Sequence, residues 1–181
     1  MAVADSLWWF DSKYEQHPVG PPGGPPSTIP ISDSYTLVKP YGSWDDHDPQ
    51  NVISFTNDLA KNYFGTNQVT PGTNIYSMYI GIQRYLRDHG LWDDYIVTLV
   101  NKPEFDWIAK EVMRSEDVIL LLGFWQQLVP GGPWVRISGH YVAVAGVDLA
   151  NFQLALSDPI KDNAEGGPGR VLNGQLIPHT P

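Results

Sequence analysis

The chain contains no cysteine. That absence excludes disulfides, thiolate metal sites and thiol redox chemistry. Cations are scarce, with 11 Lys and Arg against 20 Asp and Glu, for a formal net charge of -9 at pH 7. No basic run occurs anywhere, which argues against nucleic acid and anionic membrane surfaces as partners, since both need Lys/Arg clusters. Long apolar runs are missing too. The longest, Val118 to Trp125, falls far below the length that spans a bilayer. Met1 to Phe10 supplies neither the basic segment nor the long apolar segment of a secretory signal.

What the chain does have is aromatic and apolar mass. Hydrophobic residues make up 42% of its 181 positions, including seven Trp, nine Tyr and six Phe. That suffices for one folded domain with a real core and excludes a disordered chain. Acidity, many aromatics and few lysines suit an extracellular or cell-surface setting.

Periodicity organises the chain. Val3, Leu7, Phe10 and Tyr14 fall on one face of a helix that Trp8 and Trp9 widen, so this helix is expected to be buried. It begins almost at Met1 with no capping residue ahead of it, which suggests a polypeptide cut inside a larger domain. Pro18 to Pro30 reads as an exposed loop. Tyr41 to Asp48 is a second irregular stretch. Asp48-Pro49 then opens a helix to about Phe64, with Val52, Phe55, Leu59 and Tyr63 inward and Gly65 at its end. Gly72-Thr73 opens another, with Ile75, Met78, Tyr79, Ile82, Tyr85 and Leu86 on one face and Gly90 as its stop.

Tyr95 to Val100 alternates and reads as a strand, and Pro103 to about Arg114 as a helix. Val118 to Phe124 is an expected buried strand, with a turn at Pro130-Gly131-Gly132-Pro133 and further strand from Trp134 to Ile137. His140 to Val147 and Phe152 to Ser157 form a hairpin around Asp148-Leu149-Ala150-Asn151. From Asp162 onward Gly and Pro recur, with a short strand at Arg170 to Leu172. Helices first and an antiparallel sheet later indicate an α+β fold of one domain, 1–181, incomplete at its N-terminus and open to being incomplete at its C-terminus.

Chemistry concentrates at the hairpin. His140 opens its first strand and Asp158 closes its second, so both lie at one end of the sheet. There a carboxylate can hold one imidazole nitrogen and leave the other as a base. Gly139-His140-Tyr141-Val142 through Gly146-Val147-Asp148, followed by Ser157-Asp158-Pro159, resembles the histidine and aspartate motifs of papain-like cysteine peptidases. The branch most similar is that of the bacteriocin-leader (double-glycine) peptidases. In that family the nucleophilic cysteine stands in a Cys-Gly-Pro or Cys-x-Pro motif at the start of a buried helix, and Ala2 to Ser12 resembles the continuation of that helix. A glutamine that completes the oxyanion hole lies upstream of the cysteine.

The resemblance covers Ala2 to about Gly169. It implies a papain-like fold with His140 as general base and Asp158 as its orienting partner, acting on a peptide or protein substrate. It also implies other domains of a longer chain. With no cysteine here, peptidase activity is expected to be absent, because removing a triad nucleophile eliminates the covalent route. A non-catalytic module binding a peptide or cell-wall component on the same fold is the rival reading, and a transglutaminase-like or amidase enzyme a third.

The remaining candidates are weaker. Ser6 and Ser12 lie a turn or more beyond the helix start, and Ser138 carries no sign of activation. Asp45-Asp46-His47-Asp48 matches no zinc or EF-hand spacing, nor do Asp158, Asp162, Asn163 and Glu165, so no metal and no cofactor is expected. Gly166-Gly167-Pro168-Gly169 lacks the Lys-Ser/Thr of a phosphate loop. His17, His89 and His179 read as surface residues. The tryptophans read mainly as core, but Trp125 and Trp134 flank the turn before His140 and are expected to wall a substrate cleft.

Overall fold

The computed structural model describes residues 1–14, 35–43, 46, 48–66, 72–158, 170–172 and 175–177. The chain divides into two compact units, one of residues 4–99 and one of residues 1–3 with 100–181. Helices fill the first and antiparallel strands dominate the second, which makes the fold mixed α+β. Among the described residues, no helix is long and apolar enough to cross a membrane.

The 4–99 unit is built on helices α1 (Ala2–Tyr14), α2 (Pro49–Asp58) and α3 (Ile75–Asp88). α1 buries Val3, Ala4 and Leu7 as its spacing requires, but Trp9 and Tyr14 are half-exposed. The position that completes its inner face is Asp11, fully buried, whose carboxylate accepts the Val38 N–H at 2.8 Å. Leu37 and Val38 are thereby pulled inside.

Asp48 caps α2 by accepting the Gln50 N–H at 2.8 Å, with Pro49 in the first turn where its missing donor costs nothing. α2 does not run on as α-helix to Phe64. It widens into a π turn over Leu59–Tyr63, and Gly65 (φ 58°) ends it. Behind the cap, Asn51 is wholly buried. Its Oδ1 accepts the Tyr41 N–H, and its Nδ2 donates to the Lys39 and Asp46 carbonyls, each at 2.9 Å. One amide thus satisfies backbone groups of Lys39, Tyr41 and Asp46, at and beside the stretch that reads as irregular in the sequence.

α3 starts two residues later than Gly72-Thr73 suggests, because Asn74 is the cap, accepting from the Tyr76 N–H at 2.9 Å. It buries Met78, Gly81, Tyr85 and Leu86. A Cβ on Gly81 would lie 2.5 Å from the Phe64 ring and 2.6 Å from the Tyr63 carbonyl oxygen, at the end of the π turn. Gly81→Ala is therefore expected to destabilise this unit by about 1–3 kcal/mol through overpacking against backbone, despite the better helix propensity of alanine. Urea titration with circular dichroism reads the sign.

Tyr95 to Val100 is not a strand: it pairs with nothing among the described residues, and Ile96 is 95% exposed. Alternation alone cannot make a strand without a neighbour to share its hydrogen bonds. Tyr95 instead meets the Tyr35 hydroxyl at 2.6 Å and packs edge-on against Phe10.

The other unit contains α4 (Phe105–Met113) and strands β1 (Ile119–Gln127), β2 (Trp134–Asp148) and β3 (Gln153–Ser157), in the order β1-β2-β3, antiparallel throughout. A separate ribbon pairs β4 (Arg170–Leu172) with β5 (Gln175–Ile177). β2 is one continuous 15-residue strand, where the sequence suggests two pieces around Ser138-Gly139. Side chains alternate faces along it, with a break at Ile137, an extra residue where the register with β1 shifts between Phe124 and Trp125.

One face carries Leu120, Val144, Leu154 and Leu156, packed with Val118 against Ile108 and Val112 of α4. The turn after β2 is built by Asp148, whose carboxylate accepts the Ala150 and Asn151 N–H groups at 2.9 and 3.1 Å. The Asn151 side-chain amide donates to the same carboxylate at 2.7 Å, and that bond, followed by the backbone ones, holds the Asp148 carboxyl below its ordinary range.

The expected loop at Pro18 to Pro30 lies outside the described residues, as do Trp44, Asp45, His47, Asp162, Asn163, Glu165, Gly166 to Gly169, His17 and His179.

Candidate functional site

The register of the sheet dictates the site. Ala143 pairs with Ser157 and Val144 with Leu156, so a continued ladder would set Asp158 opposite Val142. His140 is then Asp158's diagonal neighbour across the strands. Diagonal Cα atoms lie roughly 7–8 Å apart on one face, a gap that an imidazole and a carboxylate span together. The side chains meet: His140 Nε2 is 2.7 Å from Asp158 Oδ1. That is the distance of a charge-assisted hydrogen bond, with the imidazole N–H donating to the carboxylate.

Both groups are largely withdrawn from water, with side-chain exposures of 16% for His140 and 22% for Asp158. The partial burial strengthens their attraction while leaving room for approach from solvent. Because Nε2 holds the carboxylate, Nδ1 is the nitrogen that remains to take or give a proton. Leu122 of β1 stands opposite His140, and Val142, two residues along the same face, is fully buried. An apolar floor of this kind holds an imidazole without offering it competing bonds. Leu122 was not legible as a neighbour of His140, since the loop between β1 and β2 hides their register.

Trp125 and Trp134 are not brought to His140. Leu122 and His140 face each other, and three residues on along β1, Trp125 faces Arg136; Trp134 faces Gln127. Along β1 a period of two puts Trp125 and Gln127 on the face opposite Leu122, and the register shift after Phe124, with Ile137 as the extra residue of β2, brings Trp134 to that face too; the tryptophans are 57% and 64% exposed. They shield no cleft around the histidine. On their own face, Trp125 and the Arg136 side chain lie over the facing pair Gly123 and Gly139, whose lack of Cβ atoms leaves them that space. Burial pushes the Tyr141 hydroxyl above its ordinary pKa, and the charge of Arg136 opposes that shift.

The serines are scattered. Ser6 is buried on α1, and Ser138 faces Phe124 on the His140 side of β2. Of the acidic run 45–48, Asp48 is the cap of α2, and buried Asp46 accepts through its carbonyl from Asn51 and from the Trp8 indole N–H at 3.2 Å. No group of three His, Asp or Glu that could hold a metal ion occurs among the described residues.

His89 is half-buried, not fully at the surface. It stacks on Tyr85 with centroids 3.9 Å apart, and its Nδ1 lies 2.8 Å from the Tyr85 carbonyl. Burial lowers its pKa below the ordinary 6.5, although the bond to that carbonyl opposes the shift. Below about pH 6.5 the unfolded chain binds the proton more readily than the folded one, so stability falls as pH drops through that region. His89→Asn is expected to flatten this part of the pH–stability curve, read as denaturation midpoints between pH 5 and 7.5. An unchanged slope would place the effect elsewhere.

A comparison with protein-family models, with curated proteins and with solved structures finds no match to this chain.

Proposed function

We propose that this chain is a papain-like cysteine-peptidase domain of the bacteriocin-leader peptidase type, in which His140 is the general base and Asp158 orients it. In the intact enzyme a cysteine thiolate would attack the peptide carbonyl, His140 would relay the proton to the leaving amine, and Asp158 would fix the imidazole. The observation carrying this reading is the 2.7 Å contact from His140 Nε2 to Asp158, made by residues 18 apart in sequence. A hairpin that spends a partly buried pair on this contact, with Nδ1 left for a reacting proton, has the form of a base and its orienter. The acidic, aromatic-rich and lysine-poor composition fits an extracellular setting.

The rival is a binding module on the same fold, which recognises a peptide or cell-wall component without cleaving it. What favours it is the chain itself: with no cysteine, the covalent route is closed. The test is the reading frame ahead of Met1, expressed together with this chain. A Cys-x-Pro there, with peptide hydrolysis lost on His140→Ala, supports the peptidase. The binding module gains if no cysteine precedes Met1 and peptide binds without being cut.

A further inference from the structure

Beyond Gly123 and Gly139 the β1–β2 pair continues as a two-stranded arm with both faces open. Phe124, Trp125, Leu128, Val129, Trp134 and Ile137 are all about half exposed or more. A ribbon of two strands is marginal by itself in water, and six large apolar side chains on one arm make a patch that a monomer rarely leaves open. β1 is also the edge of its sheet and bears no charged residue. An uncharged apolar edge favours pairing with another chain.

Charge and area select the occupant. From Val118 to Val147 there is no Asp or Glu, and Arg136 is the only Lys or Arg, in a chain whose net charge is -9. Two copies of so acidic a protein repel least where these acid-free arms meet. Trp125 and Trp134 share one face, with Leu128 and Val129 at the tip. Together they expose on the order of 600 Å² per copy. Covering that face on two copies removes about 1,200 Å², the lower end of what stable interfaces bury. We infer that this arm is a self-association surface: the Trp125–Trp134 face packs on the same face of a second copy about a two-fold axis. The contact is distinct from the His140 site, which lies on the other face of the ribbon.

Sedimentation equilibrium of the full chain tests this. At tens of micromolar the species is expected at twice 20.2 kDa. Trp125→Ser with Trp134→Ser should raise the dissociation constant roughly 100-fold or more, as loss of central aromatic anchors does. The far-ultraviolet spectrum should not change, since both positions are exposed. Leu128→Ser with Val129→Ser at the turn is a second, independent variant and should act in the same direction. Because the chain has no cysteine, a nitroxide on Gln126→Cys reports the contact alone, and one narrow inter-label distance is expected. A wild type that stays monomeric at 100 micromolar overturns the inference, as does a dimer indifferent to both variants. So does a monomer that sediments with neutral phosphatidylcholine vesicles through these tryptophans.

Discussion

Tyr85→Ala is expected to cost the 4–99 unit about 3–5 kcal/mol, enough to leave it largely unfolded at room temperature. The ring is the largest fully buried side chain described, and it is where the helices of this unit meet. Phe55 of α2 lies 6.1 Å away, Tyr63 of the π turn meets it edge-on at 5.0 Å, and His89 stacks on it at 3.9 Å. Removing it leaves a cavity that three rings cannot close by small shifts.

The hydroxyl adds a separate part, since it donates to the Leu37 carbonyl inside the core. Burial holds that hydroxyl well above its ordinary pKa, so it stays a donor throughout the physiological range. Tyr85→Phe keeps the ring and strands the carbonyl, at about 1–3 kcal/mol. Urea unfolding followed by tyrosine near-ultraviolet dichroism separates the two. A phenylalanine variant as stable as wild type would show that Leu37 finds another donor.

Tyr85 was legible as a core residue because it repeats with Met78 and Leu86 at helical spacing. Its hydroxyl partner was not, because Leu37 sits in a stretch with no periodicity. The same division holds across the chain. Helices announced themselves through caps and stops: Asp48-Pro49, Gly65 and Gly90 are local, and local chemistry decides them. Asp11 and Asn51 did not, because a buried polar residue is explained only by the distant backbone that it satisfies.

Tyr95 to Val100 failed for a related reason, since a strand is a property of two segments and its partner was missing. At the candidate site, His140 and Asp158 were legible because a short turn joins their strands and leaves the register little freedom. Trp125 and Trp134 were placed wrongly because closeness in sequence to a turn says nothing about which side of the pleat a residue takes.

Asp158→Ala carries the second large effect. In the chain as it stands, the expected change is in the imidazole itself. The carboxylate accepts from Nε2, so His140 should hold its neutral proton there, visible in the ¹⁵N shifts of the two ring nitrogens. Alanine removes the acceptor, and the two tautomers should then mix. Asp158→Asn is the discriminating variant. Its amide oxygen can still accept from Nε2, so the tautomer should persist while the negative charge is gone.

In a form that carries the nucleophile, the two variants should diverge in rate. Alanine loses both orientation and charge and should lower kcat about 10²- to 10⁴-fold, the range that a positioned acid–base group contributes. Asparagine should fall between alanine and the parent, because it orients the ring without stabilising the imidazolium. If alanine leaves the ring nitrogens unchanged, the aspartate is a turn residue that happens to lie near a histidine. The catalytic reading of the hairpin would then have lost its geometric support, which is the His140–Asp158 contact.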